Sequence, residues 1–353
     1  MSKKGQNRVK IGISVGDVNG IGLEVILKTF NDQRMFDFCQ PILYCSKAVL
    51  DYQMKTLQLN DLKINLLGED FNLKKSALHL VDVKSPMSNS TFGNSTEESA
   101  VLAFQSLENC ISDLQDNKIN AMVTAPIQKE SMQTLANFEY GGHTEYLNDK
   151  DGKEDSLMLM ISDHCKIGIV TNHIPLQSVS NEITTEKVLK KINILNKSLK
   201  VDFGIRKPKI AVLGLNPHAG ENGAIGKEES KEILPAIQQA KNINILAFGP
   251  YPADGFFASN SYANYDGVLA MYHDQGLIPS KMLSKSGGIN YTAGLSFVRT
   301  SPDHGTAFEI AGKNLAKPAA FRNAVYTAIE IVKSRILEEE LTANVLETSK
   351  NRS

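Results

Sequence analysis

Short apolar runs, rich in Ile, Val and Leu and without strict alternation, recur along the chain, with longer amphipathic stretches between them. Runs of this kind are typical of strands covered on both faces of a parallel sheet. They predict strands at Lys10–Val15, Pro41–Ser46, Ala77–Val83, Ala121–Ala125, Cys165–Thr171, Lys209–Leu215, Asn244–Phe248 and Gly267–Tyr272. The stretches between them step at helical spacing: Phe104, Leu107, Ile111 and Leu114; Val188, Ile192, Leu195 and Leu199; Val325, Ile329, Val332 and Ile336. Each set puts one apolar stripe on a helix. Strands alternating with helices predict an α/β fold with a mostly parallel sheet.

At 353 residues the chain exceeds the length at which one core usually stops growing, so two domains are expected. The pair Gly141-Gly142 and the segment Arg299–Thr306 are the expected crossing points. The two chain ends, 1–140 and 300–353, would then form the first domain and 141–299 the second. A net charge of −1 gives no global field for nucleic acid or an anionic membrane surface. No run of about 18 apolar residues predicts a membrane span. Cys39, Cys45, Cys110 and Cys165 form no C-x-x-C pair and lie in or beside apolar runs, which fits buried thiols in a reducing cytoplasm.

Candidate chemistry gathers where predicted strands end. His173, His218 and His273 each follow an apolar strand-like run and precede Gly or Pro segments. Separations of 45 and 55 residues carry little metal evidence by themselves. The repeated context is the signal: three neutral imidazoles converging from separate strands would hold a divalent metal with open positions. Around them, Asp254 and Asp274 offer carboxylates for proton relay, and Lys281 and Arg299 offer charge for a phosphate or carboxylate. His143 and Thr144, after a glycine pair, offer neutral donors or cap a helix. The loop at Gly16–Gly22 has G-x-x-x-G-x-G spacing, which matches neither a Rossmann fingerprint nor a Walker loop; it reads equally as a structural turn or an anion contact. Thr124–Lys129 reads as a helix start or a cleft wall. The small-residue segment around His304, Gly305 and Thr306 would suit a flat adenine or ribose. The adjacent His273 and Asp274 also admit a metal phosphohydrolase, a reading weakened because such sites draw further ligands from helices while this pair ends a predicted strand.

In these motifs the chain resembles the 4-hydroxythreonine-4-phosphate dehydrogenase family. The matching segments are GD-x-x-GIG-x-E (Gly16–Glu24), TAPI-x-KE (Thr124–Glu130), GGHTEYL (Gly141–Leu147), LNPHAGE (Leu215–Glu221), MYHDQG (Met271–Gly276) and RTSPDHGTAFEIAGK (Arg299–Lys313), in order over almost the whole chain. Val18, Asn19 and Leu23 depart from the family's usual Pro, Ala and Pro. The resemblance implies two α/β/α domains flanking a cleft, an isocitrate/isopropylmalate dehydrogenase-like fold, and a homodimer with shared active sites. It implies a metal held by His173, His218 and His273, the last from the partner subunit. Zinc suits the three imidazoles, with magnesium, manganese or cobalt as alternatives. Substrate contacts fall on His143, Thr144, Lys281, Asn290 and Arg299, acidic residues beside the metal on Asp254 and Asp274, and NAD or NADP contacts are expected at His304, Gly305 and Thr306. The implied reaction is oxidation of 4-(phosphooxy)-L-threonine followed by decarboxylation. Relatives acting on phosphorylated threonate or erythronate share the same apparatus.

Overall fold

Among the residues that the computed structural model describes (8–59, 61–134, 138, 140, 142–284 and 287–343), twelve strands form one sheet. They are β1 (Val9–Ser14), β2 (Cys39–Cys45), β3 (Ile64–Leu66), β4 (Leu78–Asp82), β5 (Ala121–Thr124), β6 (Leu157–Ile161), β7 (Lys166–Thr171), β8 (Lys209–Leu213), β9 (Leu246–Tyr251), β10 (Gly267–Tyr272), β11 (Ile289–Ala293) and β12 (Val298–Pro302). Their order is β3-β4-β2-β1-β5-β12-β11-β6-β7-β10-β8-β9. Two parallel halves, β3 to β12 and β7 to β9, are joined by antiparallel pairing of β12 with β11, β11 with β6 and β6 with β7. Both faces are covered by helices. Glu97–Gln115 and Ala319–Ala343 pack on β1 and β5, and Thr185–Val201 and His273–Leu283 pack on β7 and β10. This burial on two sides is why the parallel strands read as continuous apolar runs.

All eight expected strands are present, with one shifted. Asn244 has a positive φ of 62° and belongs to the turn that closes the preceding helix, so β9 starts at Leu246 and runs on to Tyr251. Strands β3, β6, β11 and β12 were not expected. β11 and β12 read INYTA and VRTSP, whose polar residues hide a strand pattern. β12 also runs continuously across the 299/300 boundary expected from sequence. Gly141, part of the other expected crossing point, lies outside the described residues.

The Gly16–Gly22 loop is structural. Gly16 has φ +66°, and a Cβ there would stand 2.4 Å from the Pro126 carbonyl. Asp17 is buried and accepts the Asn19 amide at 2.9 Å; its other oxygen takes the Ser95 hydroxyl. Burial raises the Asp17 carboxyl above the usual carboxylate range, although those hydrogen bonds oppose the shift. Asn19, one of the departures from the family pattern, accepts the Thr91 amide at 2.8 Å and ties down the segment before helix Glu97–Gln115. Glu24 accepts the Ala316 amide at 2.9 Å and pairs with Lys28 at 2.7 Å, joining the first helix to the approach of the last. A second buried network fastens the last helix to β11: Arg335 donates to Asp202 at 2.7 Å and to the Tyr291 hydroxyl at 3.0 Å, and Tyr291 donates to Asp202 at 2.7 Å.

Candidate functional site

The parallel half ending in β5 and β12 meets the antiparallel joint at β11 and β6, and a cavity of about 270 Å³ opens there. Such reversals of strand order are where open α/β sheets bind ligands. Thr124 ends β5, Arg299 lies in β12 and Asn290 in β11. His143, Thr144 and Glu145 open the helix His143–Lys150, while His173 follows β7 and His273 follows β10. Asp303, His304 and Gly305 close the wall after β12.

Arg299 dominates the electrostatics. It is buried, yet among the described residues it has no carboxylate partner within ion-pair distance. Its Nε and Nη2 donate to the Thr124 hydroxyl at 3.1 and 2.7 Å, and Nη1 donates to the Thr292 hydroxyl at 3.2 Å. Burial lowers its pKa to about 10, with Glu145 opposing the shift. A buried cation held only by hydroxyls is costly unless an anion joins it. Burial, and then the charges of Arg299 and Lys129, hold the His143 imidazole neutral, well below its ordinary pKa. Among the described residues, three buried polar atoms on this wall lack partners: His143 Nε2, Asn290 Oδ1 and His304 Nε2. Buried polar atoms rarely stay unpaired without a ligand or water to meet. His304 Nδ1 donates to the Gly305 carbonyl at 3.0 Å, which leaves Nε2 to face the cavity.

His173 and His273 stand side by side, ring centroids 5.5 Å apart. Two imidazoles bound tetrahedrally to one zinc would have centroids separated by roughly 5 Å, given Zn–N bonds of roughly 2.0–2.1 Å. The Asp274 carboxylate accepts from His273 Nδ1 at 2.7 Å, which fixes the ring and frees Nε2, the usual arrangement behind a metal-bound histidine. Partial desolvation, with help from Lys129, lowers the His173 pKa and keeps its ring neutral. The donor pair therefore fits two corners of a metal site. His218 does not join them. It lies in the turn after β8, on a separate cavity shared with Pro250 and Pro252. Among the described residues no group of three or more His, Cys, Asp or Glu within one chain could hold a metal. Among the described residues the three histidines do not meet within one chain: His173 and His273 lie together and His218 lies apart, whereas the resemblance implies that His273 is the one supplied by the partner subunit.

The remaining expected residues divide in the same way. Thr144 and Asn290 line the cavity, whereas Asp254 is exposed in helix Ala253–Ala258, beside the turn of His218. Lys281 is exposed farther along the helix of His273, where its charge reaches Asp303. His304 and Gly305 line the cavity; the Thr306 carbonyl instead accepts the Ile21 amide at 2.9 Å and packs against the first glycine loop. His273 is the first residue of helix His273–Leu283, not a residue of an open loop, because Gly276 lets that helix lie flat on Ala270, Ile167 and Ile169. The sequence read Lys129 as part of a helix start or a cleft wall without naming its contact; it lines the cavity, and its Nζ lies 3.5 Å from His173 Nε2. Met158 and Met160 form the apolar wall and were missed with strand β6.

Fold and cavity together define an α/β protein with a histidine-rich, cationic cleft suited to a small anion. Residues 37–328 match the sequence profile of the pyridoxal phosphate biosynthetic protein PdxA, and the chain belongs to that family. It is 43% identical over 344 residues to the 4-hydroxythreonine-4-phosphate dehydrogenase of Bacteroides thetaiotaomicron, covering 97% of this chain and 93% of that one. It is 36% identical over 329 residues to a protein of Oceanobacillus iheyensis provisionally named D-threonate 4-phosphate dehydrogenase, covering 92% and 98%. The crystal structure of 4-hydroxythreonine-4-phosphate dehydrogenase from Klebsiella pneumoniae superposes with a TM-score of 0.79 at 30% identity, covering 94% of this chain and 99% of that one.

Proposed function

We propose that this protein oxidises the C3 hydroxyl of 4-(phosphooxy)-L-threonine with NAD⁺ or NADP⁺ to 2-amino-3-oxo-4-(phosphooxy)butanoate, which loses CO₂ to give 3-amino-2-oxopropyl phosphate in pyridoxal phosphate biosynthesis. The observation that carries this reading is the buried, unpaired Arg299 on a wall of unsatisfied polar atoms. Arg299 offers a forked donor set to a phosphate or carboxylate, and Lys281 at the rim adds a point charge. His143 and Asn290 orient the remaining polar groups, with Thr144 beside them. Met158, Met160 and Leu277 keep water from the apolar side of the cleft. Asp274 holds His273 in the tautomer that presents Nε2, and Asp254, which lies beside the turn of His218, would join the site as its second acidic group from a second copy. When bound, a divalent cation (zinc, or magnesium, manganese or cobalt) would supply Lewis acidity at the reacting oxygen, and the nicotinamide at the wall of His304 and Gly305 would supply the hydride acceptor.

His173 and His273 would hold the metal with His218 of a second copy. Exposed apolar side chains flank both half-sites: Ile174 and Leu176 beside His173, Ile278 and Met282 on the helix of His273, and Ile225 and Leu234 near His218. Apolar surface of this extent calls for a partner, and a two-fold dimer would join each half-site to its complement. The four buried free thiols fit a cytoplasmic setting, and no helix among the described residues is long and apolar enough to cross a membrane.

The direct test is NAD(P)⁺ reduction with 4-(phosphooxy)-L-threonine, with and without a chelator. Metal-dependent NAD(P)H production is expected. Absence of reduction, or much faster turnover of phosphorylated threonate or erythronate, would overturn the substrate assignment; the Oceanobacillus relative makes threonate 4-phosphate the specific alternative to include. We further read 1–140 with 300–353 as one body and 141–299 as the other. Residues 141–299 expressed alone should then show a cooperative thermal transition by circular dichroism, and a fragment without one would count against the division.

A further inference from the structure

We propose that Glu229 is a positioning residue: its buried carboxylate locks a left-handed turn that places His218. The proposal rests on the reading of His218 as a metal ligand. From His218 to Gly223 six consecutive residues have positive φ: 53°, 50°, 77°, 42°, 54° and 95°. Only Gly220 and Gly223 among them are glycines. Left-handed backbone is unfavourable for an L-residue, and it normally occurs at single positions, not in runs. Such a run persists only where its surroundings over-determine it, and strain of this kind gathers at functional sites.

Glu229 supplies the determination. It is 5% exposed and makes no ion pair among the described residues. Its Oε1 accepts the amides of Leu215 and Asn216 at 2.8 and 2.7 Å, the two residues that lead into the turn. Its Oε2 accepts Asn216 Nδ2 at 3.0 Å. The turn is shaped around this group: a Cβ at Gly220 would stand 2.5 Å from Oε2, and one at Gly214 would stand 3.2 Å from Oε1. Glu228 assists from outside, accepting Asn216 Nδ2 at 2.8 Å and the Ser180 hydroxyl at 2.6 Å. Glu229 itself begins the single π-helical turn Glu229–Ile233, which continues into helix Leu234–Asn242, so the lock is mounted on regular structure. The exposed imidazole of His218 is carried at the start of the strained run. A carboxylate spent on backbone amides, with no charge partner, has the character of a clamp.

Glu229→Gln keeps the volume but puts an amide where donors already converge. Three variants, Glu229→Gln, Ala219→Pro and His218→Ala, are titrated with Co²⁺ by visible absorption. Amide hydrogen exchange over residues 215–225 is followed alongside, with far-ultraviolet circular dichroism as the check on folding. Co²⁺ affinity should fall about 10–100-fold in Glu229→Gln, the range for partners that orient metal ligands, with faster exchange in the turn. Ala219→Pro, which forces a negative φ while leaving Glu229 in place, should lose Co²⁺ similarly. His218→Ala should lose Co²⁺ with the turn still protected. Wild-type affinity and protection in Glu229→Gln, or wild-type affinity in Ala219→Pro, would overturn the lock. Full Co²⁺ binding by His218→Ala is a different failure: it removes the ligand reading itself, and the lock's purpose with it.

Discussion

Replacing Arg299 by methionine should lower kcat/KM for the phosphorylated substrate on the order of 10²–10³-fold, while the ligand-free protein stays as stable as the wild type or becomes more so. The two halves of this expectation have one cause. In the empty cleft the guanidinium is a buried charge supported only by the hydroxyls of Thr124 and Thr292. An apolar side chain of similar volume removes that desolvation cost. With the substrate bound, the same charge meets an anion in low dielectric, and its loss leaves that anion unpaired. Arg299→Lys should retain part of the activity, because a point charge cannot serve the Thr124 hydroxyl and a forked ligand together. The pH dependence has a definite sign. Burial lowers the Arg299 pKa from 12.5 to about 10. The binding form is the protonated one, so substrate affinity should be insensitive to this group below that value and fall as pH rises through it. Steady-state kinetics and thermal melts check both halves; activity within a few-fold of wild type in Arg299→Met would remove Arg299 from the site.

Mixing inactive variants should restore activity in one combination and not in another. His218→Ala and His273→Ala are each expected to be inactive for lack of a metal ligand. Unfolded and refolded together, they should recover about a quarter of wild-type activity: half the dimers are mixed, and each mixed dimer holds one intact site of two. In the proposed dimer that site would take His173 and His273 from one copy and His218 from the other. His173→Ala mixed with His273→Ala should recover nothing, because both lesions fall on the same half-site, where the rings lie 5.5 Å apart. Recovery in both mixtures would put His273 in trans instead, and activity of a dilute monomer would remove the shared site altogether.

Much of the fold was legible because parallel strands buried on both faces must be apolar throughout. β1, β2, β5, β7 and β10 are of that kind. The strands that escaped are those that do something else. β11 and β12 pair antiparallel at the cleft and carry Asn290, Thr292, Arg299 and Thr300 in place of a clean apolar run. β6 reads LMLMI, apolar throughout, and was lost among the polar residues before it. The polar substitutions that hid β11 and β12 are the ones that build the site, so the local pattern fails where function begins. Lys129 shows the same limit: its motif stood out, but nothing in a hexapeptide tells that its ammonium stands beside a histidine 44 residues on.

Sequence alone determined the alternation of strand and helix, the residue types of the site and the family that carries them, because periodicity and motif spacing are local properties. It also marked His173, His218 and His273 as three instances of one context. Which of them share a site was decided only by the tertiary structure. Strand order sets neighbours across space: β7 pairs with β10, which brings His173 to His273. β8 lies on the far side of β10, where the left-handed turn held by Glu229 carries His218 to a different surface. Contacts between residues tens of positions apart depend on the order and register of the sheet, and no run of neighbouring residues encodes that order by itself.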